Sequence, residues 1–269
     1  MIRWTFPKLE KFAPRLAEKW ATRLFFRPIR FPYPEYEKPY LEKADKFVFE
    51  INSKKVTGYS YGEGTPILFV HGWSGRATQF WKFTDLFTQY GFRVITFDAP
   101  GHGYSSGNRT NVIEFSEIVT ELANNFKAKT VVGHSLGGVA SLLAVSRGLP
   151  VKNVMLINSP SLADQLLGEF LSKINATEIS GRGVLKYIES NTQKPLEEFM
   201  SLHLLKDIEG INLQMIHDET DREVPIVHAE TLQDEYPEAR LVKTNGLGHS
   251  RILSDDRVIS ETLAFAYKG

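Results

Sequence analysis

The sequence predicts an α/β protein with a mostly parallel β-sheet, helices on both faces of the sheet, and a small helical cap insertion. Short apolar runs typical of buried strands alternate with helical segments over residues 66–157 and again over 211–267. Between residues 161 and 206 the alternation stops, and three short helical patterns follow one another. The first 45 residues differ again, since a basic helical segment precedes a proline-punctuated aromatic stretch.

Composition supports a folded protein and excludes several kinds of site. The chain has 269 residues, 42% of them hydrophobic and 24% charged, so it can bury a substantial core. It contains no cysteine, which excludes disulfides, thiolate metal sites and a cysteine nucleophile. Basic and acidic residues balance at 32 each, so net charge does not favour a nucleic acid as partner. The chain has no apolar run of about 18 residues and no secretory signal pattern, and by elimination we expect a cytoplasmic location.

The N-terminal segment, residues 1–45, is locally basic and begins with a predicted helix. Eight basic and two acidic residues fall within residues 1–30, a local charge of +6 in a chain of net charge zero. Pro14 favours the first turn of a helix, because apolar residues recur at helical spacing after it. Such a helix suits a weak membrane-surface contact through residues 14–26 or docking on the body of the same protein, and we favour docking. Prolines and aromatics in residues 31–40 predict an extended segment.

The core is predicted to comprise residues 46–160 and 207–269. A hairpin with its turn at residues 52–54 comes first, and apolar strands follow. The predicted strands are residues 46–51, 55–61, 66–70, 93–97, 130–132, 154–157, 211–217 and 240–243. The predicted core helices are residues 78–89, 112–126, 139–145, 224–236 and 258–267.

Ligands of parallel sheets bind beyond the carboxyl ends of the strands. Four residues that could take part in a ligand site lie at such strand ends: Gly72, Asp98, Ser135 and Ser159. The segment 161–206 is inserted at the same edge, so we interpret it as a helical cap over the site. An elaborated crossover connection is the alternative.

Ser135 lies in the stretch Gly-His-Ser-Leu-Gly-Gly, residues 133–138, between an apolar strand and an apolar helix. Glycines on both sides let strand and helix approach without a Cβ clash, while the serine adopts a strained backbone conformation that exposes its hydroxyl. The helix that follows directs its free N–H groups and positive dipole end at the same point. The pattern therefore predicts a nucleophile elbow.

A serine hydroxyl is a weak nucleophile and needs a base, usually a histidine held by a carboxylate. His249 is the favoured base, because the glycine-containing loop around it leaves the last strand and can place the ring over the carboxyl edge. We expect His71 and His102 to hold loops in shape, and His134 to be a packing residue whose side chain points away from that of Ser135. The remaining histidines have no local signature: His203, His217 and His228. No histidine and carboxylate spacing typical of a metal site occurs.

Three carboxylates follow the strand predicted over residues 211–217. Asp221 is the favoured acid, since it lies further out than Asp218 and can reach across to His249. Asp218 remains the alternative, and Glu219 is interpreted as a solvated loop carboxylate.

From about Lys46 to its end the chain resembles the α/β-hydrolase fold superfamily, in its cap-bearing, serine esterase-like branch. The motifs that carry the resemblance are His71-Gly72-Trp73, residues 98–105, residues 133–138, Asp221 with Val224-Pro225, and Gly248-His249. The first 45 residues fall outside it.

The resemblance implies a triad in which Ser135 is the nucleophile, Asp221 the acid and His249 the base. It also implies an oxyanion hole built from the backbone N–H groups of Trp73 and Leu136. Asp98 and His102 match a segment that shapes the site in similar proteins. The chain departs from the pattern at Asp218, where similar proteins often have glycine, which leaves the acid open between two aspartates.

Together these features predict a serine hydrolase that cleaves a carboxylic ester or thioester of a small to medium, largely apolar substrate. The reaction would proceed through an acyl-enzyme on Ser135 with no cofactor and no metal. A haloalkane dehalogenase is disfavoured, because it would require aspartate at position 135. A carbon–carbon bond hydrolase or a perhydrolase with the same triad is an alternative, as is a non-catalytic binding protein of this fold.

Overall fold

Strands and helices alternate through most of the chain, whose residues 2–267 are described by a computed structural model. Three residues lie outside the described part of the chain: Met1, in the predicted N-terminal segment 1–45, and Lys268 and Gly269, at the end of the predicted core segment 207–269. The strands are β1 Asp45–Ile51, β2 Lys54–Tyr61, β3 Thr65–Val70, β4 Phe92–Asp98, β5 Thr130–His134, β6 Asn153–Ile157, β7 Asn212–Asp218 and β8 Arg240–Thr244. The α-helices are α1 Ile2–Phe12, α2 Pro14–Phe25, α3 Lys38–Lys43, α4 Trp81–Gln89, α5 Val112–Phe126, α6 Leu136–Ser146, α7 Ala163–Ile174, α8 Glu178–Thr192, α9 Ser201–Leu204, α10 Val227–Glu235, α11 Gly248–Arg251 and α12 Asp256–Ala266.

The strands form one eight-stranded sheet in the order β1-β2-β4-β3-β5-β6-β7-β8. The pairs β1–β2 and β2–β4 are antiparallel, and the other strand pairs are parallel. The β1–β2 turn places Asn52 at φ 50° and Ser53 at φ 60°. Positive φ angles at two successive residues are typical of the two-residue turns that fit the right-handed twist of a β-hairpin. The predicted α/β class with a mostly parallel sheet is confirmed.

A buried core lies on each face of the sheet. Leu68 and Val70 of β3 belong to the core that includes α5 and α6, whereas Ile67 and Phe69 belong to the core that includes α4 and α12. The alternation follows from the two-residue period of a strand, and both faces of β3 are apolar because both are covered by helices. This arrangement fixes the carboxyl ends of the parallel strands at one edge, where the candidate residues meet.

The N-terminal helices pack on the helices inserted after β6. Ala17 and Ala21 of α2 are fully buried, and a Cβ on Gly183 of α8 would lie 2.6 Å from Glu18 Cβ. Small residues on both sides therefore allow α2 and α8 to approach closely. Helix α1 was not predicted from the sequence, because Pro7 falls inside it and removes one helical hydrogen bond.

Residues 26–37 connect these helices to the loops at the carboxyl edge. The Arg30 guanidinium donates hydrogen bonds to the carbonyls of Gly101 and Gly107, each at 2.9 Å. Glu37 is buried and binds the Arg76 guanidinium through both carboxylate oxygens. The prediction that residues 31–40 are extended is wrong for residues 35–40. Residues 35–37 form a turn closed by the Glu37 N–H on the Pro34 oxygen, and residues 38–40 begin α3, where Pro39 lies in the first turn, a position at which a helix tolerates proline. Among residues 2–267, no helix has the combined length and apolar character needed to cross a bilayer.

Candidate active site

Ser135 occupies a sharp turn between β5 and α6. Its backbone has φ 53° and ψ −126°, a conformation that a residue with a side chain rarely adopts. A Cβ on Gly133 would lie 2.4 Å from the Gly138 nitrogen, and one on Gly137 would lie 2.2 Å from the Val70 oxygen. Both positions therefore require glycine. Among residues 2–267, Ser135 Oγ has no hydrogen-bond partner, which leaves the hydroxyl available to a ligand.

The loop after β3 lies directly against Ser135. A Cβ on Gly72 would lie 2.6 Å from Ser135 Cβ. In the described part of the chain, the backbone N–H groups of Trp73 and Leu136 have no hydrogen-bond partner. Two free N–H groups flanking a serine could stabilise a negatively charged oxygen bound there.

Two buried histidines fix this loop, as the sequence predicted for them. His71 Nε2 accepts the Ala99 N–H at 3.0 Å, and His102 Nε2 accepts the Ser74 N–H at 2.9 Å. Each ring therefore carries its proton on Nδ1, which lies 2.7 Å from the Gly72 oxygen in His71. These bonds tie the loops after β3 and β4 together on either side of Trp73.

His249, in the segment after β8, pairs with Asp221, in the loop after β7. The distance from His249 Nδ1 to Asp221 Oδ2 is 2.7 Å, and the Asp221 side chain is fully buried. The other oxygen, Oδ1, accepts the N–H groups of Glu223 and Val224 at 2.8 and 3.0 Å. Burial alone would raise the pKa of Asp221, but these hydrogen bonds and the one with His249 lower the pKa below its ordinary value. Asp221 is thus held ionised and fixes the orientation of the His249 ring.

Asp218, the alternative acid, faces the backbone of the His249 loop and makes no hydrogen bond to the ring. Its carboxylate accepts the N–H groups of Leu247 at 3.0 Å and Gly248 at 2.9 Å, and the Thr244 hydroxyl at 2.8 Å. Burial would raise the pKa of Asp218, but this set of donors lowers the pKa well below the ordinary range. Asp218 therefore anchors the loop that carries His249, while Asp221 contacts the ring.

Asn158 is a residue that the sequence analysis missed. Its Oδ1 accepts the Asp218 N–H at 2.9 Å, and its Nδ2 donates to the oxygens of Gly248 at 3.1 Å and His249 at 3.4 Å. The residue follows β6 with φ 45°, which asparagine tolerates better than most residues. The sequence feature that could have indicated this role is the position of Asn158 directly after a buried strand, at the carboxyl edge of the sheet.

His134 differs from its predicted role as a packing residue. Its Nε2 lies 2.8 Å from the His249 oxygen, and the two ring centroids are 4.8 Å apart. Because β5 ends beside the His249 loop, the side chain that points away from Ser135 reaches the backbone of that loop. The residue before the candidate nucleophile thus contacts the candidate base.

Comparison with known proteins agrees with this architecture. A family model described as the alpha/beta hydrolase fold matches residues 65–177, a range that contains Trp73, Ser135 and Leu136 and ends before Asp221. The chain has the α/β-hydrolase fold. The resemblance stated from the sequence motifs is confirmed at that level.

Solved structures of similar fold include several esterases. The esterase Pf2001 of Pyrococcus furiosus matches with a TM-score of 0.68 and 19% identity, over 90% of this chain and 98% of that chain. An esterase of Exiguobacterium antarcticum matches with a TM-score of 0.63 and 18% identity, over 83% of this chain and 99% of that one. At these identities the similarity shows the hydrolase fold alone.

Curated relatives match shorter regions. An sn-1-specific diacylglycerol lipase of Danio rerio is 30% identical over 109 residues, which are 38% of this chain and 34% of the relative. A non-heme chloroperoxidase of Kitasatospora aureofaciens is 29% identical over 84 residues, 29% of this chain and 30% of the relative. The matches thus span about a third of the length of these relatives.

Five histidines are buried, and burial lowers the pKa of each: His71, His102, His134, His217 and His228. Burial lowers the pKa of His71 and His228 to about 4, and that of His102 and His134 to about 3. His228 Nδ1 accepts the Ser161 N–H at 3.0 Å, as a neutral ring must. The unfolded chain binds protons on these rings at about pH 6.5, so protonation favours unfolding.

We therefore expect stability to fall as the pH drops below about 6.5. Each neutral buried histidine contributes at most about 1.4 kcal/mol per pH unit, and slightly less here because the unfolded rings are not fully protonated at about pH 6. The four histidines with a pKa of about 3 or 4 therefore lower the free energy of unfolding by about 5 kcal/mol between about pH 6 and about pH 5. Urea unfolding across this range measures how steeply the free energy of unfolding depends on pH. In His228→Gln, unfolding should take up about one proton fewer, so this dependence should be less steep. A free energy of unfolding that stays constant over the range would contradict the assignment.

Proposed function

We propose that this chain is a serine hydrolase that cleaves a carboxylic ester or thioester through an acyl-enzyme on Ser135. The observations that support the proposal are an elbow serine with a free hydroxyl, two free backbone N–H groups beside it, and a histidine that is paired with a buried carboxylate and whose loop contacts His134, the residue before the serine. The names of the relatives support ester chemistry in general. The mechanism and the assignment of roles are inferred from the chemistry of these side chains.

In the proposed first half-reaction, Ser135 Oγ attacks the substrate carbonyl while His249 Nε2 takes the hydroxyl proton. Asp221 holds Nδ1–H and stabilises the charged imidazole. The N–H groups of Trp73 and Leu136 donate hydrogen bonds to the oxyanion of the tetrahedral intermediate. When the intermediate collapses, the bond to the leaving oxygen or sulfur breaks, and His249 gives its proton to the leaving group.

In the second half-reaction, water attacks the acyl-enzyme and transfers a proton to His249. The acid leaves, and the proton returns to Ser135 Oγ. Little of the site is open to solvent, since Ser135 is 9% exposed and the His249 side chain 13%. We infer that such limited access favours a small to medium, largely apolar acyl group lying beneath the helices inserted after β6.

Hydrolysis of nitrophenyl esters from acetyl to lauryl, with an acyl thioester beside them, tests the proposal. We expect kcat/KM to reach a maximum at a short or intermediate acyl chain, because limited access to the site restricts the length that fits. Folded protein that hydrolyses no ester and no thioester would contradict it.

Perhydrolysis with the same triad is a second candidate, favoured by the similarity to a non-heme chloroperoxidase. In that reaction hydrogen peroxide replaces water as the attacking group on the acyl-enzyme. Peracid formation from acetate ester and peroxide that exceeds hydrolysis under the same conditions would favour this candidate.

A further inference from the structure

The N-terminal helices present large apolar side chains to solvent although their other sides are packed. On α1, Trp4 is 81% and Phe12 77% exposed. On α2, Leu16 is 44% and Trp20 49% exposed. Leu16 and Trp20 are four residues apart, and Trp4 and Phe12 are eight apart with exposed Lys8 between them, so each pair lies on one side of its helix as an exposed apolar stripe. We refer to these two stripes, with the cations beside them, as the outward face.

The outward face carries unpaired positive charge. Its exposed cations are Arg3, Lys8, Lys11, Arg15, Lys19, Arg23 and Arg27. Among the side chains that the structure describes, none of these forms an ion pair with a carboxylate. Elsewhere in the chain, exposed lysines such as Lys38 and Lys173 do form such pairs.

The two acidic residues of this region, Glu10 and Glu18, form no ion pair among the described residues. Glu10 is 7% exposed and accepts hydrogen bonds from the Ser180 hydroxyl at 2.6 Å and the Thr177 N–H at 2.8 Å. Glu18 is half-buried and packs against Gly183 of α8. Within residues 2–267, the carboxylates of α1 and α2 therefore form no ion pair with the exposed cations.

We propose that the outward face of α1 and α2 binds the surface of an anionic lipid bilayer. Basic residues near such a surface are attracted to its negative potential, and tryptophan and phenylalanine are favoured at the headgroup level. Leu16 and Phe12 add apolar surface that can insert at the boundary between the lipid headgroups and the acyl chains. Binding to the phosphates of a nucleic acid would not require this apolar surface. Docking on α8 and lipid binding are thus compatible, since they use different sides of α2.

Binding through the outward face would bring the helices inserted after β6 close to the bilayer. Because α2 packs on α8, a bilayer bound to the outward face would lie on the side of the protein that carries the inserted helices. Binding requires no unfolding, since the apolar stripes are already exposed.

Co-sedimentation of the full chain with phosphatidylcholine vesicles, with and without phosphatidylserine, tests this. We expect binding to the phosphatidylserine vesicles that weakens with added salt. The triple variant Lys8→Gln, Lys11→Gln, Lys19→Gln should weaken it about 100-fold. Its matched control removes three exposed lysines elsewhere: Lys46→Gln, Lys55→Gln and Lys152→Gln.

A second pair of variants distinguishes insertion of apolar side chains into the lipid from attraction by charge alone. Trp4→Ser with Trp20→Ser should weaken binding at least tenfold, whereas Val48→Ser with Tyr90→Ser, which alter exposed apolar residues on β1 and after α4, should leave it unchanged. Thermal melts confirm that the variants fold. Equal loss in the controls, absent binding, or tighter binding to a duplex DNA oligonucleotide than to anionic vesicles would overturn the proposal, the last in favour of a nucleic acid.

Discussion

Ser135→Ala is expected to lower kcat for ester hydrolysis by about 10⁴- to 10⁶-fold, because it removes the group that forms the acyl-enzyme. Stability should change little, since Ser135 Oγ makes no hydrogen bond among the described residues and alanine has the same Cβ. Steady-state rates on the best nitrophenyl ester and urea unfolding measure the two effects.

Ser159→Ala is the matched control for this variant. Ser159 follows β6, which pairs with β5, the strand before Ser135, and its buried Oγ has no hydrogen-bond partner in the described structure. Removing an unsatisfied buried hydroxyl should be neutral or stabilising, and activity should be retained. Full activity in Ser135→Ala, or loss only in Ser159→Ala, would contradict the proposed nucleophile.

Asp221→Asn is expected to lower kcat by about 10⁴-fold, because the amide no longer stabilises the charged His249 and favours the wrong ring tautomer. The buried carboxylate is hydrogen-bonded to His249 Nδ1 at 2.7 Å. KM should change little, since Asp221 is buried behind the ring. The measurement is kcat and KM for the same ester.

Asp218→Asn separates the two candidate acids. Asp218 holds the loop backbone, so we expect its loss to lower the free energy of unfolding by about 2–4 kcal/mol, with a much smaller loss of kcat in the folded protein. Because its pKa is depressed in the folded state, this stabilisation is present above the ordinary carboxyl pKa and is lost as the pH falls. A 10⁴-fold loss of kcat in Asp218→Asn with normal activity in Asp221→Asn would reverse the assignment.

The elements of the core could be predicted because their signals are local. The strand over residues 66–70 was placed within one residue of β3, since a buried strand is a continuous apolar run bounded by turn residues. The elbow could be predicted for the same reason. The glycines around Ser135 mark the places where the backbone of the strand and the backbone of the following helix come too close for a Cβ atom.

Features that depend on distant contacts could not be predicted. Helix α1 contains Pro7 and exists because Phe6 is buried and Glu10 bonds to α8, which the local sequence does not reveal. Asn158 acts on a loop 90 residues later in the chain, and His134 reaches one 115 residues later. Their roles follow from the order of strands in the sheet.

Labelling with a fluorophosphonate probe, followed by identification of the modified peptide, tests the central claim most directly. The probe reacts with a serine only where a base and an oxyanion hole activate it. We expect folded wild-type protein to be labelled at Ser135, and labelling to be lost in Ser135→Ala and strongly slowed in His249→Ala. Folded wild-type protein that remains unlabelled, or that is labelled at another serine, would contradict an activated Ser135.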